Sequence, residues 1–367
     1  MTETPTLAEA FTTAADGRFT MGGSPRYVAL ARAVAADPAL AAPLGSGEVA
    51  PAHPPLLFSA VQCVVRTVGH PLADYYPTLG GTREPDAGLV EAFADLVAAH
   101  GDRLAALCAD AKPRSNDPSI AAIIRPALGR AAVAAGGRPL ALVEMGSAAG
   151  LTLLPDFYDY DYYPASTGPS GVTGAGAVTL GCEIRGEVPG HAELDIARRI
   201  ALELDPIRHD DPAAVRWLLS GIWPERTAEL ARVTAGLAAL DAATIDWRAG
   251  DFFEQLPGAL ADIPPDELPV VYGSSVLCCQ KDRRAELPAL LAAAGRDLVW
   301  ITKEHPEHAL ALVTDDPNPF EGDHTVVLTS VTYAAGRITE VVALAEVDPW
   351  GRWLDWRPTV MRPRSVG

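Results

Sequence analysis

Two patterns of hydrophobic positions divide the chain. Over the first 138 residues apolar side chains recur at helical spacing. Leu89, Phe93, Leu96, Val97, Leu104 and Leu107 mark one such segment, with Asp86 as its cap and Gly101 as an interruption. Pro25 opens another, PRYVALARAVAAD, closed by the Asp37-Pro38 step. PPLLFSAVQCVVRTVG stops at Gly69, and PSIAAIIRPALGRAAVAAG ends in Gly136-Gly137. No strand-like alternation interrupts them, so an all-α N-terminal domain is expected over 1–138.

From Arg138-Pro139 the pattern changes. PLALVEMG is a short apolar run ending in an acid and a glycine, the form of a buried parallel strand feeding a Gly-rich turn. RIALELD, ATIDWRAGD, LPVVYGSS and RDLVWITKE follow as further runs, separated by the helical stretches DPAAVRWLLSGIWPERTAELARVTAGLAAL and QKDRRAELPALLAAAG. Strands alternating with helices predict a parallel sheet covered on both faces. HTVVLTSVTYAAGRITEVVALAEVD closes the chain as a hairpin around Ala334-Ala335-Gly336-Arg337. An insertion at about 155–195, rich in Tyr and Gly, carries its own strand-like piece, AVTLGCEIRG. The expected class is α/β. A Rossmann-like sheet in the class I methyltransferase order, parallel with a C-terminal antiparallel hairpin, would fill 139–367 beside the all-α domain.

Composition narrows the partners. The 367 residues suit two domains. Lys and Arg number 29 against 47 Asp and Glu, a net charge of −18, which argues against long nucleic acids and anionic membranes. No run approaches the ~18 apolar residues of a membrane helix, and the start MTETPTLAEAF has no signal-peptide pattern. Five cysteines without a C-x-x-C pair predict a cytoplasmic protein free of disulfides.

The strongest chemical signal is the loop from Glu144 to Gly150, directly after the first strand. Gly146 and Gly150 would let the backbone approach a ligand, with a following helix end offering N–H groups and Ser147 a hydroxyl. Ligands of open α/β sheets bind beyond the carboxyl ends of strands. Glu203, assisted by Asp205, ends the second strand and would accept the hydroxyls of a ribose. Asp251, with Phe252 and Phe253, ends the third and would receive an adenine amino group. Ser274 ends the fourth. These residues describe an S-adenosylmethionine pocket better than a dinucleotide one, because G-x-G-x-x-G is absent.

Further residues carry a family resemblance. They are Gly23-Ser24-Pro25 with Tyr27, the stretch His70 to Pro77, Arg114-Ser115-Asn116-Asp117, the glycine loop, and Leu204-Asp205-Pro206. Arg216-Trp217-Leu218, Trp223-Pro224-Glu225 and Glu304 complete the set. With them the chain resembles a largely actinobacterial group, domain-of-unknown-function family 2332. Members usually carry Thr-Asn-Glu where this chain has Ser115-Asn116-Asp117, and Asn-Pro where it has Asp205-Pro206. The resemblance implies a helical domain on a methyltransferase-like domain.

The expected function is S-adenosylmethionine-dependent methyl transfer to a small molecule, of the kind found in secondary metabolism. His70, Asp74, Tyr75, Asn116 and Glu304 are the candidate catalytic groups, the general base coming from His70, Asp74 or Glu304. Two alternatives stand beside it. One is a cofactor-independent displacement on the same fold, such as ring closure with loss of an anionic leaving group. The other is a non-catalytic subunit of a complex, with a protein partner or a second copy of the chain. His305 and His308 with Pro306 between them lack metal-binding helical geometry, so no metal is expected.

Overall fold

The computed structural model describes residues 5–45, 53–110, 114–171, 174–190, 192–320 and 325–364. The first residues of the acidic start, and residues 172, 173 and 191 of the insertion, lie outside it. The chain forms two compact units. Residues 1–115 with 207–233 make the first, and residues 116–206 with 234–367 the second. The boundary thus falls before Asn116 rather than at 138, and a segment from the middle of the chain joins the helical unit.

Helices α1 (Leu7–Ala14), α2 (Pro25–Ala36), α3 (His53–Val68) and α4 (Ala87–Asp110) build the helical unit. Thr6 and Glu9 form a capping box on α1, and Ser24 with Pro25 starts α2. Helix α4 is kinked at His100, beside the interrupting Gly101. Phe11, Phe19, Tyr27, Phe58 and Phe93 fill the core, with Tyr27 stacked on Phe58 at 4.7 Å.

The segment 207–233 enters that core through Trp223, whose ring lies 5.3 Å from Phe19. Glu225 binds it polarly: the Ser24 hydroxyl donates to Glu225 Oε2 at 2.6 Å and the Arg26 amide to Oε1 at 3.1 Å. The buried Arg26 guanidinium pairs with Glu225 at 3.4 Å. The Gln62 amide donates to the carbonyls of Ser220 and Ile222. The long helical stretch expected here is broken at the Trp223-Pro224 step.

The second unit is mixed α/β. Helix α5 (Ser119–Ala134) precedes β1 (Leu140–Met145), and the insertion supplies β2 (Asp159–Pro164) and β3 (Thr179–Gly186). Then come β4 (Ile196–Glu203), α6 (Pro212–Ser220) and α7 (Thr227–Ala239), of which α6 belongs to the helical unit. The chain continues through β5 (Asp246–Ala249), α8 (Phe252–Ala261), β6 (Leu268–Ser274), α9 (Leu287–Ala293), β7 (Leu298–Glu304) and α10 (Leu310–Val313). It closes with β8 (Val326–Ala334), β9 (Arg337–Val347) and β10 (Trp353–Met361).

Among the described residues the ten strands share one sheet, in the order β2-β3-β10-β9-β8-β7-β6-β1-β4-β5. The run β5-β4-β1-β6-β7 is parallel throughout. Strand β8 is antiparallel to β7, the expected hairpin joins β8 to β9, and β10 adds a third antiparallel strand. Strands β3 and β2 extend the sheet beyond β10. Ala141, Val143 and Met145 face a core shared with α8, α9 and α10, while α5 packs on β3, β6, β7 and β8.

One expected element is absent. A three-residue turn, Leu151–Leu153, follows the glycine loop where a helix was expected. Pro155 would stand inside that helix, lacking an N–H and clashing with the preceding turn. Among the described residues no single helix is long and apolar enough to cross a membrane.

The Arg26–Glu225 pair gives a direct test of how the segment is held. Glu225→Ala leaves the buried guanidinium with only the exposed Glu84 carboxylate at 3.8 Å and should destabilise the protein by about 3 kcal/mol in chemical denaturation. Asp16→Ala, which removes an exposed partner of Arg32, should leave the transition in place. Equal effects would contradict the assignment.

Candidate functional site

Strand order reverses between β1 and β6, and the carboxyl ends of β4, β1, β6 and β7 define the candidate site. After β1 the backbone takes left-handed conformations at Gly146 (φ 68°), Ala148 (φ 50°) and Gly150 (φ 74°). Ala148 adopts at a cost what glycine adopts freely. Packing explains both glycines. A Cβ on Gly146 would lie 2.8 Å from Val276 Cγ2, and one on Gly150 would lie 3.1 Å from the Trp247 ring.

The amides of this loop are bound by the protein's own side chains. The Ala148 N–H donates to Glu203 Oε2 at 2.8 Å. The amides of Ala149 and Leu151 donate to Asn116 Oδ1 at 3.2 and 3.1 Å. Asn116 is therefore a loop brace, while its neighbour Asp117 accepts from the Ser119 amide where α5 begins. Glu203 Oε1 accepts the Asp205 amide at 3.2 Å, and the Asp205 side chain is exposed.

Glu144 is buried at the end of β1. The Thr152 hydroxyl donates to its Oε1, and its Oε2 has no hydrogen-bond partner. Burial, against the Thr152 hydrogen bond and with help from the Glu203 charge, pushes its pKa up to about 8. The group is thus a neutral acid at pH 7. The buried Ser147 hydroxyl likewise has no partner.

Asp251 is placed differently from the expected adenine acceptor. It caps α8 by accepting the Phe253 amide at 2.8 Å, and its other oxygen pairs with Arg283 at 2.8 Å. Ser274 ends β6, and Ser275 after it has φ 56°. Glu304, buried at the end of β7, accepts the Val276 and Leu277 amides at 2.6 and 2.7 Å. Burial raises its pKa. His308 Nδ1 lies 4.0 Å from its second oxygen.

His70, Asp74 and Tyr75 belong to the helical unit. His70 Nδ1 accepts the Leu72 amide at 3.2 Å, and Asp74 is exposed. Tyr75 is buried, donates to Asp86 at 2.6 Å and lies under the Arg83 guanidinium. Thr152, Val276 and Arg283 escaped the sequence reading, because no local pattern marks a residue that completes a site from another strand end. Among the described residues no group of three or more His, Cys, Asp or Glu could hold a metal.

Cavities lie elsewhere in this unit. One of about 580 Å³ sits before β6 and β7, lined by Leu260, Ile263, Pro264, Leu290, Ala294 and Arg296. Its arginine is committed to the carbonyls of Leu260, Ile263, Pro264 and Glu267. Another, of about 310 Å³, lies in the insertion beside Tyr158, Asp159, Tyr160 and Asp161. Several tyrosines of the Tyr-rich insertion stand on strand β2, with Tyr160 stacked on Tyr162 at 5.9 Å.

The conserved pattern of one bacterial family runs through both units, from residue 8 to residue 356. The chain belongs to the DUF2332 family. That family is described as uncharacterized protein conserved in bacteria. No curated protein and no solved structure matches the chain. The members of the motif set fall into two groups: Ser24, Tyr27, Trp223 and Glu225 knit the helical unit, and Asn116, Gly146, Gly150 and Glu304 shape the strand-end turns.

Glu144 makes stability depend on pH. It binds its proton in the folded state up to pH about 8 and releases it near 4.5 when unfolded. Its contribution is fully present below the unfolded value and declines as pH rises towards 8. Glu144→Gln should flatten that part of the curve. An unchanged slope between pH 5 and 8, read from denaturant midpoints over about three pH units, would contradict the assignment.

Proposed function

We propose that this chain is a cytoplasmic small-molecule enzyme with a class I methyltransferase-like sheet, and that it takes S-adenosylmethionine as methyl donor. The observation that carries the reading is the parallel run β5-β4-β1-β6-β7. It sets Glu203, the glycine loop and Ser274 side by side at the strand ends where the order reverses, with Asp251 just beyond β5. Ligands of open α/β sheets bind at that place.

The donor set supports a polar ligand there. Glu144 Oε2 and the Ser147 hydroxyl are buried without partners, and a buried polar atom without a partner costs about 1–3 kcal/mol. Glu203, which holds the Ala148 and Asp205 amides, is the acceptor we assign to ribose hydroxyls, because a carboxylate can accept several donors at once. S-Adenosylmethionine would supply an electrophilic methyl group. The chain's part is to orient an acceptor nucleophile and exclude water. Among the proposed bases, Glu304 is the one that stands at these strand ends, and it already anchors the turn after β6.

A second reading draws on the bound loop amides. Ala148, Ala149 and Leu151 already donate inside the protein, and no helix begins after the loop to present further N–H groups. That arrangement favours an enzyme using the same strand ends without the cofactor, for a displacement such as ring closure with loss of an anion.

Calorimetric titration with S-adenosylmethionine and S-adenosylhomocysteine separates the two. The methyltransferase reading predicts micromolar binding, about 8 kcal/mol, weakened at least tenfold in Glu203→Gln, which keeps an oxygen for the Ala148 amide while losing the charge. Silence up to millimolar ligand from folded protein would overturn it and leave the cofactor-free displacement.

A further inference from the structure

Beside the glycine loop lies a pair of thiols that the proposed function does not use. Cys278 and Cys279 close the short turn Leu277–Cys279 after β6, with their sulfurs 3.7 Å apart. Cys279 is exposed and Cys278 half-buried. Cys278 Sγ donates to the Ser275 carbonyl at 3.2 Å, and Ser275 itself holds a left-handed backbone. The turn carries Val276, whose methyl groups fill the space left by both Gly146 and Gly273.

We propose that Cys278 and Cys279 form a reversible disulfide with each other, taking a low-molecular-weight disulfide as oxidant, and that the bond moves the turn packed against the glycine loop. The exposed Cys279 thiolate attacks one oxidant sulfur, forming a mixed disulfide and releasing one thiolate. Cys278, losing its proton to solvent, then attacks the Cys279 sulfur and releases the second thiolate. Two protein thiols are oxidised, and one oxidant disulfide is reduced to two thiols.

The order follows from the surroundings. Burial, then the nearby Glu304 and Cys279 charges, push the Cys278 thiol up to about 12, so the exposed partner reacts first. Adjacent Cα atoms lie about 3.8 Å apart, below the ~4.4–6.8 Å span of a relaxed disulfide. The turn must therefore distort as the bond forms, and strained, exposed disulfides are the readily reduced, regulatory ones. Distortion acts first on the Val276 and Leu277 amides held by Glu304, and then on Gly146 through the Val276 methyls. The consequence for ligand binding rests on the function proposed above, whereas the thiol chemistry does not.

The full chain, incubated folded with oxidised glutathione, provides the test. Mass spectrometry of the peptide holding residues 278 and 279 should show the loss of two hydrogens and no retained glutathione, reversed by dithiothreitol and absent from Cys279→Ser. In the oxidised protein the Val276 and Leu277 amides should exchange with solvent several-fold faster. Glutathione retained on either cysteine, or no reaction, would overturn the proposal. A disulfide that leaves those two amides unchanged would overturn the coupling to the loop.

Discussion

Where β1 ends, backbone N–H groups converge with no following helix to receive them, and side chains from outside the loop take up the bonds. The Glu203 carboxylate holds Ala148, and the Asn116 amide oxygen holds Ala149 and Leu151. Buried N–H groups left without acceptors would make that bend costly, so the bend depends on these two side chains. Asn116 reaches it from just before α5, and Glu203 from the end of β4. The loop's conformation is thus set by the packing of α5 and by the register of β4 on β1.

The same device recurs one pair of strands away. Glu304 at the end of β7 accepts the amides of the turn after β6, as Glu203 at the end of β4 serves the turn after β1. In each case a buried carboxylate on the outer strand braces the turn of its inner neighbour. Val276 links the two turns by filling the space over Gly146. The acids at these strand ends therefore have a structural task whatever ligand they meet. Glu144, at the end of β1, accepts the Thr152 hydroxyl instead, and its other oxygen has no partner.

Local patterns made the parallel strands and most helices legible, because buried strands read as short apolar runs and helices as periodic ones. Gly146 was legible as a turn residue, but the reason for it, a valine after another strand, was not. The Trp223-Pro224-Glu225 motif stood out in the sequence, yet only the fold places its aromatic ring against Phe19 and its carboxylate on Ser24 and Arg26. Strand β10 escaped because Trp353–Met361 mixes polar residues and a proline, and its partners are β9 and the insertion's β3. Asp251 shows the limit of reading acids by position: an aspartate before a helix caps it, and here Arg283 takes the oxygen meant for a ligand.

The central claim is that the strand ends around the β1/β6 reversal form a ligand site whose loop is preset by Glu203 and Asn116. A crystal structure grown in saturating S-adenosylhomocysteine tests it most directly. The account predicts ligand density along residues 146–150 and against Glu203, with the Asn116 bonds to Ala149 and Leu151 intact. Density in the 580 Å³ cavity before β6 and β7, with the strand ends empty, would contradict it.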